Sequence, residues 1–333
     1  MKDLYLKSFF YNILIKKLGN FMKIAILDDY QDVVKTLDCF SLLKKHQVKI
    51  LTKTYSEVEL IDKLKDVQAL VLIRERTTIT KNLLLNLPNL KVISQTGKIS
   101  NHLNLKLCEE YKISVLEGVG SSIAPAELCW ALIMNSSRNI LQYSNNLSNN
   151  IWQSSNSFGL GKVLNNQRIG IWGYGKIGQQ IAKYAKAFNM QVVVYGSKTS
   201  QLKAKEDGFE SVGCKKEFFS SCDIITLHLK LTQETFECVK KEDLELMKAD
   251  SLFVNISRAA LVEKNALFNE LNNNKTKRAI VDVFDIEPAT IENEPLLSLE
   301  NVLCTPHLGY VEKSNYELYF KAAFENLLEY IKS

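Results

Sequence analysis

Three side chains of complementary chemistry lie in the last third of the chain: Arg258 in Asn255-Ile-Ser-Arg-Ala259, Glu287 in Ile286-Glu-Pro288, and His307 in Thr305-Pro-His-Leu-Gly309. A guanidinium grips a carboxylate bidentately. A carboxylate beside an imidazole orients the ring and favours its charged form, which suits the imidazole to give and take a proton near neutral pH. Singly, each residue has a plainer reading, as a solvated charge, a turn residue before proline, and a packed or surface histidine. Upstream, Arg168-Ile-Gly-Ile-Trp-Gly-Tyr-Gly-Lys-Ile-Gly178 offers a different chemistry. A short strand ends in glycines at 173, 175 and 178, and Ile181, Ala182 and Ala185 then recur at helical spacing. In such a strand, turn and helix the first glycine permits a tight turn, the second lets a pyrophosphate approach bare backbone, and the third lets helix and strand pack closely. The anion then rests on unpaired amides at a helix N-terminus. Gly-rich turns that bind nothing are common, so this stretch alone marks a nucleotide site of unspecified use.

The elements that must position these residues form two alternating series. In the first, strands are expected at Lys23–Leu27, Val48–Leu51, Ala69–Ile73, Leu90–Ser94 and Ser114–Leu116, with helices at Gln31–Phe40, Val58–Leu64 and Lys81–Leu87. One long helix over Ser122–Leu141, with Pro125 in its first turn, is expected to carry the chain from one domain to the next. The second series has about six strands: Ile169–Trp172, Gln191–Tyr195, Ile224–Leu227, Ser251–Asn255, Ala279–Val283 and Val302–Cys304. Its helices are Ile177–Phe188, Lys216–Ser220, Lys240–Met247 and Lys264–Leu271, and Ser314–Ile331 forms a closing amphipathic helix. Alternating strands and helices imply parallel sheets. The fold class expected is α/β, with two Rossmann-like or flavodoxin-like parallel-sheet domains and an active-site cleft between them. In open parallel sheets ligands bind beyond the carboxyl ends of the strands, where Arg258, Glu287 and His307 all fall.

Composition narrows the function classes. The chain of 333 residues is 46% hydrophobic and 24% charged, as soluble globular proteins are, and long enough for two domains. The formal net charge of +5 is spread along the sequence without a basic block, which argues against nucleic acid as a partner. No run approaches the apolar length of a membrane span, so no membrane partner is expected. Seven scattered cysteines without a CxxC pair fit a reducing cytoplasm, and no histidine stands at metal-ligand spacing, so no metal is expected. Residues 1–21 read as an accessory or misassigned extension. Leu6, Phe9, Phe10, Ile13 and Leu14 share one helical face, but Met22 begins a clean strand and is the better start.

The chain from Met22 nearly to its C-terminus resembles the D-isomer-specific 2-hydroxyacid dehydrogenases, which include phosphoglycerate, glycerate and hydroxypyruvate-type enzymes. The resemblance is carried by Gly173-Tyr-Gly-Lys-Ile-Gly178, His228-Leu-Lys-Leu-Thr232, Val254-Asn-Ile-Ser-Arg258, Val281-Asp-Val-Phe-Asp-Ile-Glu-Pro288 and Thr305-Pro-His-Leu-Gly309. It implies a substrate domain of residues 22–120 plus 310–333 and an NAD(P)-binding Rossmann domain of residues 121–309. It further implies hydride transfer between NAD(P)H and a small 2-keto acid, giving a D-2-hydroxy acid, or the reverse. His307 would be the general acid and base, Glu287 would hold it protonated, and Arg258 would bind the carboxylate and polarise the carbonyl. Cofactor contacts are implied for Gly173, Tyr174, Gly175, Lys176, Ile177 and Gly178, for Ser197, Lys198, His228, Leu229 and Thr235, and for Ile256, Ser257, Asp282 and Gly309. Substrate contacts are implied for Arg74 and Arg76 in Ile73-Arg-Glu-Arg-Thr77 and for the backbone at Gly97 and Lys98. The resemblance also implies a homodimer built on the interdomain helix.

The departures from the family pattern are informative. The acidic residue that usually binds the cofactor's ribose hydroxyls is missing, and the chain there reads Val194-Tyr-Gly-Ser-Lys198. With no carboxylate to repel a 2′-phosphate, the reading leans to NADP over NAD. Lys230 stands where proline is usual and Ala259 where glycine is usual. Glu287 in place of glutamine disfavours formate oxidation. Arg74 and Arg76 hint at a second anionic group on the substrate, although either could pair with Glu75 or solvent. The alternative function is an NAD(H)-sensing binding protein or corepressor-like module on the same fold.

Overall fold

The computed structural model describes residues 21–333, so the expectations for the preceding segment lie outside the described residues. The chain divides into two compact units. Unit one holds the described residues up to Gly120 together with Glu312–Ser333, and unit two is the unbroken run Ser121–Val311. No helix among the described residues is long and apolar enough to cross a membrane.

Unit one runs β1 (Lys23–Ile26), β2 (Gln47–Ile50), α1 (Glu57–Leu64), β3 (Ala69–Leu72), α2 (Lys81–Leu85), β4 (Val92–Gln95), α3 (Leu105–Glu110) and β5 (Ser114–Leu116). All strand pairs are parallel, in the order β2-β1-β3-β4-β5, the flavodoxin-like arrangement. Every residue of β3, Ala-Leu-Val-Leu, is buried, as expected of a parallel strand covered on both faces. Helix α1 starts where Ser56 and Glu59 cap each other's backbone amides. The long helix Lys313–Lys332 packs Phe320, Ala323, Phe324 and Leu327 inward, and its Ala323 carbonyl accepts a hydrogen bond from the Ser94 hydroxyl of β4 at 2.8 Å.

The helix expected over Gln31–Phe40 is instead two short 3-10 segments, Val34–Thr36 and Asp38–Leu43. Asp32 is left-handed at φ 50°, and the Asp29 carboxylate accepts the Val34 amide at 2.9 Å. Glu317, from the long helix, accepts the amides of Asp38 and Cys39 at 3.0 and 2.6 Å. A side chain far away in sequence thus restarts the turn, which no local pattern announces. Helix α3 was not expected, having Cys108 as its one buried residue.

Unit two runs α4 (Ile123–Arg138), α5 (Ile140–Ser148), β6 (Arg168–Trp172), α6 (Lys176–Ala187), β7 (Gln191–Tyr195), α7 (Lys198–Glu206), β8 (Glu210–Ser211), α8 (Lys215–Ser221) and β9 (Ile224–Leu227). It continues with α9 (Lys241–Glu245), β10 (Leu252–Asn255), α10 (Ala266–Asn273), β11 (Arg278–Val281) and β12 (Val302–Cys304). Its parallel sheet has seven strands rather than six, ordered β12-β11-β10-β9-β6-β7-β8. The additional one, β8, is a two-residue edge strand. The chain reverses direction across the sheet at β6, so the topological switch point lies between β6 and β9. Aromatic Phe218 and Phe219 are fully buried; Gly170 on β6 lacks the Cβ that would stand 2.7 Å from the Phe218 ring.

The single helix expected over Ser122–Leu141 is broken. Asn139 is left-handed at φ 53° and separates α4 from α5. Its side chain accepts from Arg278 Nη1 at 2.8 Å and donates to the Gly159 carbonyl at 3.2 Å, so tertiary partners hold the break. Asn tolerates this conformation better than other non-glycine residues.

Candidate active site

The glycines at the end of β6 divide their tasks as steric demands require. Gly173 is left-handed at φ 100°, and a Cβ there would stand 2.5 Å from the His228 carbonyl oxygen. A Cβ on Gly178 would collide with the Gly173 carbonyl. Nothing lies within 4 Å of where a Gly175 Cβ would be, so its bareness serves no packing inside the chain. Gly175 is also the N-cap of α6, with no side-chain cap. The amides at Lys176 and Ile177 therefore begin a 12-residue helix without a side-chain acceptor. Open space, bare backbone and uncapped amides at the switch point fit a dinucleotide pyrophosphate. Tyr174 points away from this opening, buried against Phe209 with its hydroxyl donating to Asp207 at 3.1 Å.

The other expected cofactor residues are placed unequally. Ser197 is the N-cap of α7, accepting the Ser200 amide at 3.2 Å, and Lys198 is the first residue of that helix, exposed. His228 follows β9. Its Nε2 meets the Thr226 hydroxyl at 3.0 Å, its Nδ1 is buried without a hydrogen-bond partner, and burial pushes its pKa down to about 3. Leu229 packs beside Gly173. Thr235 closes its own turn, donating to the Lys230 carbonyl at 2.6 Å. The Ile256 side chain goes into the core, which leaves its backbone to face a ligand. Ser257 donates to the Leu227 carbonyl at 2.7 Å.

Arg258, Glu287 and His307 all stand in loops beyond the carboxyl ends of β10, β11 and β12 of unit two. Glu287 and His307 meet: Oε2 lies 2.7 Å from Nδ1, while Oε1 accepts the Phe284 amide at 3.0 Å. The His307 ring also stacks edge-on against Tyr310, centroids 5.3 Å apart. Its backbone is left-handed at φ 50°, a conformation that surrounding structure must impose on a non-glycine residue. Asp282 imposes it. That fully buried carboxylate accepts from the Thr305 hydroxyl at 2.6 Å and from the Leu308 and Gly309 amides at 2.7 and 2.9 Å. Burial raises its pKa and these donors oppose the rise. Asp282, expected as a cofactor residue, thus binds the loop that carries His307.

Arg258 sits in a turn clamped by Asn255, whose Nδ2 donates to the Arg258 carbonyl at 2.9 Å and whose Oδ1 accepts the Ser257 amide at 3.0 Å. Its Nη1 donates to the Ser257 carbonyl at 2.6 Å. Asn255 and Thr305 were not singled out in the sequence, although both stand inside the quoted motifs. Their signal was a short polar side chain at a strand end, which turns use everywhere.

The expected substrate residues belong to unit one. Arg74 pairs with Glu75, Nε to Oε2 at 3.5 Å. Lys98 pairs with Glu117 at 2.6 Å in an exposed ion pair. Gly97 leaves room for the Arg74 guanidinium, which a Cβ at that position would strike. Arg76 donates to the Asp28 carbonyl at 2.6 Å and to the Tyr316 hydroxyl at 3.2 Å.

A Gly-rich dinucleotide turn at a switch point, with a paired imidazole and carboxylate beyond the carboxyl ends of two further strands of the same sheet, is what the nucleotide unit of an oxidoreductase requires. Residues 130–309 match the model of the D-isomer specific 2-hydroxyacid dehydrogenase NAD-binding domain, and the chain belongs to that family. It is similar to a phosphoglycerate oxidoreductase from Vibrio cholerae of known structure, with 54% identity, a TM-score of 0.92, and coverage of 93% of this chain and 98% of that one. It is 33% identical to the glyoxylate reductase of Thermococcus litoralis, over 82% of this chain and 83% of that protein. The D-3-phosphoglycerate dehydrogenase of Methanocaldococcus jannaschii is also 33% identical, over 86% of this chain, but the chain spans only 53% of that protein's length.

Proposed function

We propose that the chain catalyses NAD(P)-dependent hydride transfer between a small 2-keto acid and its D-2-hydroxy acid. The observation that carries the reading is the 2.7 Å contact between Glu287 Oε2 and His307 Nδ1. With Nδ1 donating to the carboxylate, the proton exchanged with substrate is carried at Nε2. His307 delivers it to the carbonyl oxygen in reduction and removes it from the hydroxyl in oxidation. Glu287 fixes the ring's tautomer and orientation. Arg258 takes the substrate carboxylate through paired hydrogen bonds and polarises the neighbouring carbonyl. The stretch Gly173–Gly178 would hold the cofactor's pyrophosphate, and the bound nicotinamide supplies or receives the hydride. Arg74 and the backbone at Gly97 and Lys98, in a loop that Arg76 braces, are proposed as further substrate contacts.

The cofactor is proposed to be NADPH in preference to NADH. Gly196 offers no carboxylate, and Ser197 and Lys198 open helix α7 beside it. A homodimer is proposed on α4, α5 and the segment after them, where Ile140, Leu147, Trp152, Leu160 and Val163 are exposed; scattered exposed apolar residues are ordinary, but a concentration of them marks an interface. The reducing cytoplasm is the proposed compartment. The test is a screen of glyoxylate, hydroxypyruvate and phenylpyruvate with each cofactor, followed by nicotinamide absorbance. Turnover with higher kcat/KM for NADPH is the expected result, and a clear NADH preference sinks the cofactor assignment. Tight cofactor binding with no turnover of any keto acid would favour the sensor instead.

A further inference from the structure

The arginine loop of unit one is seated with more care than a solvated turn needs. Arg74 is left-handed at φ 53°, a conformation that a non-glycine residue keeps only where its surroundings hold it. Two residues at the end of β4 clamp it: the Thr96 hydroxyl accepts its amide at 3.1 Å, and the Gln95 side chain donates to its carbonyl at 2.9 Å. Its guanidinium then lies across Gly97 and 5.9 Å from the centre of the Tyr319 ring, within the range of a cation–π contact. Arg76 is directed elsewhere. It reaches the Asp28 carbonyl at 2.6 Å and the Tyr316 hydroxyl at 3.2 Å, and it stacks 4.5 Å over Tyr30. Tyr316 and Tyr319 are both buried and lie three residues apart on the long helix, hence on one face.

We propose that this helix is the seat of the loop: Tyr319, through Arg74, and Tyr316, through Arg76, are positioning residues that set the affinity for the keto acid. Arg74 is the arginine presented to substrate, and Arg76 is the brace that ties the loop to β1 and the helix. The inference rests on the proposed reading of Ile73–Thr77 as a substrate loop. It gives the two arginines different jobs, where their sequence spacing treats them alike. A guanidinium held in advance loses less freedom on binding, so loosening it weakens affinity without changing the chemistry that follows.

The test is steady-state kinetics on glyoxylate and hydroxypyruvate with purified full-length variants, alongside thermal melts. Arg74→Gln and Tyr319→Leu are expected to raise KM about tenfold with kcat within about twofold. Tyr316→Phe, which removes only the hydroxyl, raises KM about fivefold. Tyr319→Phe retains the ring and stays within about twofold of the unsubstituted protein. A purely structural role would lower the melting temperature and the active fraction, hence the apparent kcat, while leaving KM unmoved. That pattern in Tyr319→Leu and Tyr316→Phe, with KM raised in Arg74→Gln, overturns the inference alone. An unchanged KM in Arg74→Gln overturns the substrate-loop reading and the inference together.

Discussion

His307 is held by three kinds of contact at once: a hydrogen-bonded carboxylate at 2.7 Å, an aromatic edge from Tyr310, and a loop held by Asp282. A base held in this way has few alternative rotamers to lose when it reacts. His307→Gln should lower kcat about 10²–10⁴-fold while the affinity for NADPH, read by fluorescence titration, changes little. Retained turnover would remove His307 from its assigned role. A second histidine carries a different consequence. The pKa of His228 lies near 3 in the folded chain against an ordinary value of 6.5, because the ring is buried. Between those two values the unfolded chain takes up a proton that the folded chain refuses. Stability therefore falls as pH drops through this window. His228→Gln should flatten the fall by at most about 1.4 kcal/mol per pH unit, measured as urea midpoints near pH 7 and near pH 5. An unchanged slope would mean that the imidazole is solvated in the folded protein.

At the scale of elements, the glycines after β6 make opposite predictions. Gly175→Ala meets open space and should leave the melting temperature within a few degrees while weakening dinucleotide binding about tenfold or more, because the new methyl occupies the anion's approach. Gly178→Ala drives a Cβ into the Gly173 carbonyl and should cost stability outright, by about 1–3 kcal/mol. Equal melting temperatures for the two variants would contradict the steric division of labour. The strands were legible because parallel strands buried on both faces read as short apolar runs, as Ala69–Leu72 and Ile224–Leu227 do. Helix α7 was not legible, since Ala204 is its one buried residue and no periodicity advertises it. The break at Asn139 and the 3-10 segments before β2 depend on Arg278 and Glu317, partners remote in sequence. The site divides along the same line. The motifs around Arg258, Glu287 and His307 could be read as a pattern, whereas the grip of Asp282 on residues 305–309 and the separate seats of Arg74 and Arg76 required the fold.

At the scale of the molecule, unit two is one continuous stretch with its own sheet and its own buried clusters on both sheet faces. Residues 121–311 expressed alone should therefore unfold cooperatively and bind NADPH, yet reduce no keto acid. Calorimetry and fluorescence titration would check this, and a fragment without a melting transition would show that unit two does not fold by itself.

Unit one is assembled differently, because the contacts of Ser94 with Ala323 and of Glu317 with residues 38 and 39 join chain segments that unit two separates. On the ribosome the order of synthesis then becomes an order of maturation. The sequence of unit two is complete before the helix that packs on β4 and β5 is made. During that interval the apolar surface that Phe320, Ala323, Phe324 and Leu327 will cover is open to solvent. The tyrosines that seat the arginine loop are made after every strand of both sheets, so that loop takes its final form after the strands that frame it have been made.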